Sequence, residues 1–330
     1  MRACLILLFS LAATGCGALE REVGKKVDKI ERKVDKNLDR AVGAVGDAVS
    51  GGKKGGTGGK KAAGLPSRDD PCAALDAGGS FTLEVPFDGT DWPVEVYLPA
   101  GAGPHPMVVL LHGGDDGAGP IKKQTEYVDL AEERGFVVAV PEAVEIEGRG
   151  LRWNTGKWPE AAQRDDSAFL DALVRRAKSE LCVDKALGVG FSAGAQMCNR
   201  WACEGTEVDA VAFSAGALLI DPATCTDRAI PILSFVGTKD KVFDGSPRPD
   251  KPELPSVPAS AELWTAHNGC AGNGKPSRIG KAECTTWDLC SAPVMHCNVV
   301  GFPHAWPGGK KKADCDFDAT PVSWDWFRGL

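Results

Sequence analysis

Apolar and polar positions change period several times along this chain. From Leu19 to Val49 the apolar residues Leu19, Val23, Val27, Ile30, Val34, Leu38, Val42, Val45 and Val49 recur every three or four positions, separated by Lys, Arg, Asp and Glu. This is one stripe on a helix about thirty residues long, nearer a straight helix than a strict heptad seam. Such a stalk is a charged spacer, a coiled coil that oligomerises, or an amphipathic helix on a membrane; Gly24, Gly43 and Gly46 weaken the helix and favour the spacer. The glycine- and lysine-rich run at 51–61 reads as a flexible linker.

Beyond residue 66 the pattern is that of a packed domain. Ser80 to Pro86 and Pro93 to Leu98 alternate as an antiparallel pair would. Met107 to Leu111 and Phe136 to Val140 are short continuous apolar runs, the signature of buried parallel strands, and further strands are read at Val208 to Phe213, Ile230 to Val236 and Val294 to Val300. Helical periodicity falls between them, at Lys123 to Arg134, Asp165 to Leu181, Ala259 to Asn268 and Pro321 to Phe327. Strands alternating with helices predict a mostly parallel central sheet with helices on both faces, and chemistry at the carboxyl ends of its strands.

The segment from Ala186 to Glu204 stands apart, because an apolar strand stops at Gly190-Phe191-Ser192-Ala193-Gly194 and continues as a helix. Serine at a sharp strand-to-helix bend is a nucleophile elbow. Flanking glycines permit a strained turn and expose the hydroxyl, and the new helix points its N-terminus at the reacting oxygen. A near copy, Ala212-Phe213-Ser214-Ala215-Gly216, also follows an apolar run, but no sustained helical period succeeds it. Ser192 is therefore the expected nucleophile.

Charge and cysteine usage place this chemistry. Residues 17–64 hold twelve Lys and Arg against seven Asp and Glu, whereas the whole chain is −7, so the folded part is clearly acidic. A nucleic-acid substrate is disfavoured, and the basic runs read as solvated faces. Arg2, the apolar run Leu5 to Ala13 and the small residues before Cys16 form a secretory signal, too short to span a membrane. The residues before Cys16 resemble a lipobox, which would make Cys16 a lipidated N-terminus anchored to the envelope; a plain signal peptide and secretion is the other reading. The expected organisation is a signal at 1–16, stalk and linker at 17–66 and a catalytic domain at 67–330. Without Cys4 and Cys16 ten cysteines remain, an even number that allows up to five disulfides in an oxidising compartment. Four of them crowd between Cys270 and Cys297, where they would staple the loops ahead of the last strand.

A serine hydroxyl needs an imidazole to take its proton and a carboxylate to orient that imidazole. After the strand ending at Val236 the chain reads GTKD, placing Asp240 in a loop; after the last strand it reads GFPHAWPG, placing His304 in the equivalent loop. The order Ser, Asp, His is that of an α/β hydrolase. His105 in a Pro-rich turn, His267 on a helix and His296 within the last strand read as structural or surface residues. His112 opens HGGDDG after the Met107 strand, and the N–H of Gly113 or Gly114 with that of Ala193 would form an oxyanion hole; one such donor is worth roughly 3 to 4 kcal/mol. Trp153, Trp158 and Trp306 line a substrate pocket or fill the core. Asp165 and Asp166 begin a helix and read as capping residues rather than paired catalytic acids. No metal or organic cofactor is called for.

The set VDKALGVGFSAGAQM, GTKD, NGC and GFPHAWPG, with Trp153-Asn154 and RDDSAFL from Arg164, resembles the secreted esterases grouped as polyhydroxybutyrate depolymerases and feruloyl or acetylxylan esterases. Ala195, Val236 and Phe302-Pro303 depart from that pattern. The resemblance implies an α/β-hydrolase fold, a triad of Ser192, Asp240 and His304, and a serine esterase acting through an acyl-enzyme on hydroxyalkanoate polymers, feruloylated or acetylated polysaccharide, or small esters. The alternatives are a catalytically silent surface binding protein and a serine peptidase of the same fold.

Overall fold

A computed structural model of the chain describes residues 70–75, 77–114, 116–156, 161, 163–243 and 254–330. The signal segment at 1–16, the stalk and linker at 17–66 and Trp158 lie outside the described residues.

Gly79–Phe87 (β1) and Thr90–Leu98 (β2) form the antiparallel pair, with Phe87 opposite Thr90. The turn between them is Asp88-Gly89, at φ 49° and 74°, the two left-handed residues that a two-residue hairpin matching strand twist requires. His105–Leu111 (β3) and Val137–Val140 (β4) follow, then a small separate hairpin of Val144–Ile146 (β5) and Gly150–Arg152 (β6). The remaining strands are Val183–Phe191 (β7), Ala210–Ser214 (β8), Ile232–Gly237 (β9), Lys275–Ile279 (β10), Ala282–Trp287 (β11) and Val294–Val299 (β12). Ten of these make one sheet in the order β1-β2-β4-β3-β7-β8-β9-β12-β11-β10. From β4 to β12 neighbours run parallel, and the outer pairs are antiparallel.

The central strands are buried along nearly their whole length, because helices cover both sheet faces. Asp166–Glu180 (α3), Ala193–Glu204 (α4) and Val257–His267 (α5) form one group, in which Asn199 Oδ1 accepts from Ser260 Oγ at 3.1 Å and Trp264 Nε1 at 2.8 Å. Ala118–Thr125 (α1), Tyr127–Arg134 (α2) and Ala319–Arg328 (α7), the last preceded by the single turn Lys312–Cys315 (α6), form the other. There Tyr127 hydrogen-bonds Ser323, and Phe136 stacks on Trp324 with ring centroids 3.8 Å apart. Burying each such large apolar side chain contributes about 1.5 to 3 kcal/mol.

Three expectations need correction. The helix read from Lys123 to Arg134 is two helices, broken at Glu126, which takes φ 58°. The carbonyl of Thr125 is taken by Thr320 Oγ1 at 2.6 Å, a tertiary bond that substitutes for continued helix. The hairpin of β10 and β11 lies where loops were expected; β10 is exposed throughout, so its sequence KPSRI shows no buried face. His105 opens β3 rather than sitting in a turn, and its Nδ1 donates to the Gly135 carbonyl at 3.2 Å.

Among the described residues four disulfides are present: Cys72–Cys182, Cys203–Cys225, Cys270–Cys290 and Cys284–Cys297. Five were possible, but Cys198 and Cys315 are free and buried, the first inside α4 and the second at the end of α6. Cys270–Cys290 staples the segment ahead of β12 as expected, whereas Cys284–Cys297 joins directly opposed residues of β11 and β12.

Candidate active site

The bend at Ser192 is forced by close packing. A Cβ on Gly190 would stand 2.3 Å from the Gly194 carbonyl oxygen, and one on Gly194 would stand 2.1 Å from that of Leu111. Only glycine fits either position. Ser192 itself takes φ 54° and ψ −114°, a strained geometry for a residue with a side chain. Its N–H donates to Ser214 O at 3.0 Å and its carbonyl accepts from Gln196 N at 3.1 Å, so β8 and the first turn of α4 hold the strain in place.

Asp240 and His304 lie on loops that leave the neighbouring parallel strands β9 and β12 at the same edge, which is why residues distant in sequence meet. The loops are tied to each other: Lys239 N donates to Phe302 O at 2.9 Å, and Gly301 N to Thr238 Oγ1 at 2.8 Å. A Cβ at Gly237 would come within 2.1 Å of Phe302 O, so this crossing also requires glycine. His304 Nδ1 lies 2.8 Å from Asp240 Oδ2, and His304 Nε2 lies 3.0 Å from Ser192 Oγ. The carboxylate accepts from Nδ1–H, so in the neutral ring Nε2 carries the lone pair and can accept from the Ser192 hydroxyl. Asp240 Oδ1 accepts from Val242 N at 2.7 Å and Phe243 N at 3.3 Å. Burial opposes ionisation of this carboxyl, but the bonds from His304, Val242 and Phe243 outweigh it and hold it below its ordinary value. The imidazole is packed between Phe191, tilted at 5.0 Å, and Phe243, stacked at 5.9 Å. Ser214, the serine of the near copy, is fully buried and donates to Ala305 O at 3.3 Å, bracing the His304 loop instead of facing solvent.

The glycine loop after β3 comes up beside the elbow. A Cβ on Gly113 would lie 3.6 Å from the Ser192 Cβ, and one on Gly114 would lie 4.0 Å from that of Ala193. His112 anchors this loop. Its Nε2 accepts from Ala143 N at 3.0 Å, which fixes the proton on Nδ1, and Nδ1–H then donates to Gly113 O at 2.7 Å. Burial lowers the pKa of His112 and keeps the ring in that neutral form. Trp153 Nε1 donates to His112 O at 2.9 Å from beneath. Trp153 is therefore a buried prop of the loop, outside the lining of the cleft. Sequence had marked His112 only as the start of a glycine motif. Its position one residue before Gly113 at a strand end was the available signal, but the partner at Ala143 could be seen only in the fold.

A cleft of about 510 Å³ opens at the site, with Phe191, His304 and Trp306 in its wall and Lys123, Lys310 and Lys311 at its rim. Trp306 donates through Nε1 to Thr320 Oγ1 at 3.0 Å and serves both core and wall. Asp165 caps α3 by accepting from Ala168 N at 3.1 Å, while Asp166 is buried against Arg164 at 2.6 Å, so neither reaches Ser192. Among the described residues no group of three or more His, Cys, Asp or Glu is arranged to hold a metal ion.

No protein-family model matches the chain. Over 171 residues it is 29% identical to feruloyl esterase C of Emericella nidulans, covering 49% of this chain and 57% of that protein. The chain thus spans just over half the length of the curated relatives it matches. Among solved structures it superposes on acetyl xylan esterase from Aspergillus awamori with TM-score 0.54 and 18% identity, covering 72% of this chain and 97% of that one. It superposes on the propionate-bound esterase Est2 of Thermogutta terrifontis with TM-score 0.51 and 16% identity, covering 76% and 94%. The elbow, the strand order and these likenesses agree: the chain has an α/β-hydrolase fold and, over 49% of its length, is similar in sequence to the feruloyl esterases.

Proposed function

We propose that this protein is a serine esterase that hydrolyses carboxylic esters through an acyl-enzyme, of the polyhydroxybutyrate depolymerase and feruloyl esterase type. The observation that carries the reading is the hydrogen-bonded line from Ser192 Oγ through His304 to Asp240, at 3.0 and 2.8 Å. Ser192 Oγ attacks the ester carbonyl carbon as its proton passes to His304 Nε2. The carbonyl oxygen becomes an oxyanion facing the N–H of Ala193 and that of Gly113 or Gly114. When the intermediate collapses, the C–O bond to the alcohol breaks and the imidazolium returns the proton to the leaving oxygen. Water then attacks the acyl-enzyme by the same route, releasing the acid and restoring the serine. Asp240 holds the ring tautomer and stabilises the imidazolium, and the sequence needs no metal or organic cofactor.

Hydroxyalkanoate oligomers, feruloylated or acetylated polysaccharide and small esters are the substrate classes within this reading. Four disulfides support export to an oxidising compartment, and the lipobox-like residues before Cys16 support an envelope anchor through that cysteine. Labelling with a fluorophosphonate, alongside a panel of aryl esters, methyl ferulate, acetylated xylan, hydroxybutyrate oligomers and aminoacyl anilides, tests the proposal. We expect label and ester turnover, both lost in Ser192→Ala. A protein that never takes label is a silent binding protein, and one that prefers anilides is a peptidase.

A further inference from the structure

The basic rim of the cleft is not explained by hydrolysis of a neutral ester. Lys123, Lys310 and Lys311 all border it, and among the described residues no acidic one does. The turn carrying the last two is fixed: Gly309 N donates to Asp318 Oδ1 at 3.0 Å and Lys311 N to Gly308 O at 2.9 Å. Gly309, at φ 51°, is pressed so closely on the end of α1 that a Cβ would stand 2.3 Å from the Gln124 carbonyl oxygen. That contact brings the pair beside Lys123. The neighbouring lysines are neutralised, Lys122 by Glu95, and Lys312 by Glu126 at 3.4 Å and Asp318 at 3.9 Å. Among the described residues Lys123, Lys310 and Lys311 have no such partner. A cluster of cations without such partners, on a protein of net charge −7, makes a local field opposite to that of the whole molecule, which attracts an anion to this cleft.

The position of the cleft says which half of a substrate meets this field. His304 returns its proton to the leaving oxygen, so the alcohol must lie on the His304 side of the scissile bond. The cleft is walled by Phe191, His304 and Trp306, and neither Ser192 nor the oxyanion residues Gly113, Gly114 and Ala193 are in its lining, so it adjoins the elbow on the His304 side. We infer that the alcohol half of the ester carries a carboxylate, as in a hydroxy acid or an acidic sugar, with Phe191, Pro120 and Trp306 against its body and the three lysines at its charge. The inference rests on the esterase reading of the same site.

The full chain is assayed with 3-acetoxybenzoate against 3-acetoxybenzamide, whose leaving phenols differ in charge, and with p-nitrophenyl hemiglutarate against p-nitrophenyl valerate, whose acyl groups do. Rates are normalised to those of hydroxide. We expect kcat/KM at low salt to favour the benzoate by about tenfold, through KM, the size expected of a few exposed charge pairs acting together. The ratio should fall toward one in about 0.5 M salt, where screening is strong, and in the Lys123→Gln/Lys310→Gln/Lys311→Gln variant. Parity in the unaltered protein, or a preference that survives the triple substitution, overturns the inference; a preference confined to the acyl pair overturns its assignment to the alcohol. Calorimetric titration of the Ser192→Ala protein with 3-hydroxybenzoate and 3-hydroxybenzamide separates the two levels. Tighter binding of the benzoate without turnover of any ester in the unaltered protein sinks the esterase reading alone, and turnover with equal binding sinks carboxylate recognition alone.

Discussion

Asp240 divides its two oxygens between tasks: Oδ2 faces His304, and Oδ1 is held by the backbone of Val242 and Phe243. Replacing it by Asn should leave the loop folded, since an amide oxygen can still accept those backbone bonds, while presenting the wrong group to Nδ1. We expect Asp240→Asn to lower kcat by about 10⁴ with little change in KM or in the circular dichroism spectrum. A loss under tenfold would mean the carboxylate is not working through His304. The three residues of this line could be named from sequence because each follows a mostly apolar strand in a fixed chain order. Ser214 shared the local motif with Ser192, and what separates them is exposure: one is half-buried with its hydroxyl on His304 and the other is fully buried with its hydroxyl on Ala305. The roles of Trp153 and Trp306, either pocket or core from sequence, were divided only by packing, because an indole suits both surroundings.

At the scale of elements, the loop after β3 depends on a side chain with two hydrogen-bonding nitrogens. His112 joins Ala143 on one side to Gly113 on the other, so it ties the segment after β4 to the loop that holds the proposed oxyanion donors. We expect His112→Leu to lower kcat by about a hundredfold with KM nearly unchanged, and His112→Gln, which can still donate and accept, to recover part of it. Equal kcat in all three proteins would remove His112 from this role. Periodicity marked most helices and central strands because their apolar faces meet one continuous sheet. It failed where partners came from elsewhere or no face is buried: the break at Glu126 depends on Thr320, and β10 is an edge strand exposed along its whole length. Gly194 belongs to the same scale, and Gly194→Ala should destabilise the elbow against the end of β3, lowering the thermal midpoint and the labelling rate of Ser192 together.

Across the whole molecule, two features set stability. His296, on β12 with its Nδ1 2.8 Å from Ser234 Oγ, is buried, and that burial depresses its pKa to about 4 from 6.5. Above pH 6.5 the ring is neutral whether folded or unfolded and stability is unaffected; between 6.5 and about 4 only the unfolded chain takes the proton, so stability falls as pH falls. The full loss is about 3 kcal/mol, and His112, depressed by burial in the same direction, adds to it. Urea unfolding at several pH values should show this slope reduced in His296→Gln; an unchanged slope would assign it to other groups. The second feature is Cys72–Cys182, which closes 110 residues and ties the start of the domain to the head of β7. Replacing both cysteines by Ala should cost about 2 to 5 kcal/mol in urea unfolding, since the open chain regains loop freedom when unfolded. The even count of cysteines allowed a fifth pair, but Cys198 and Cys315 are each enclosed by their own elements, and parity carries no information about distance.

The amino-acid sequence alone determined the alternation of strands and helices, the bend at Ser192, and the placing of Asp240 and His304 just past strand ends. These are local properties, written in apolar period, in glycine and in chain order. Tertiary structure decided which strands are neighbours, and with that which loops meet, which indole lines the cleft, and which lysines stand together at its rim. Those outcomes depend on contacts between residues scores of positions apart, and no local pattern records them.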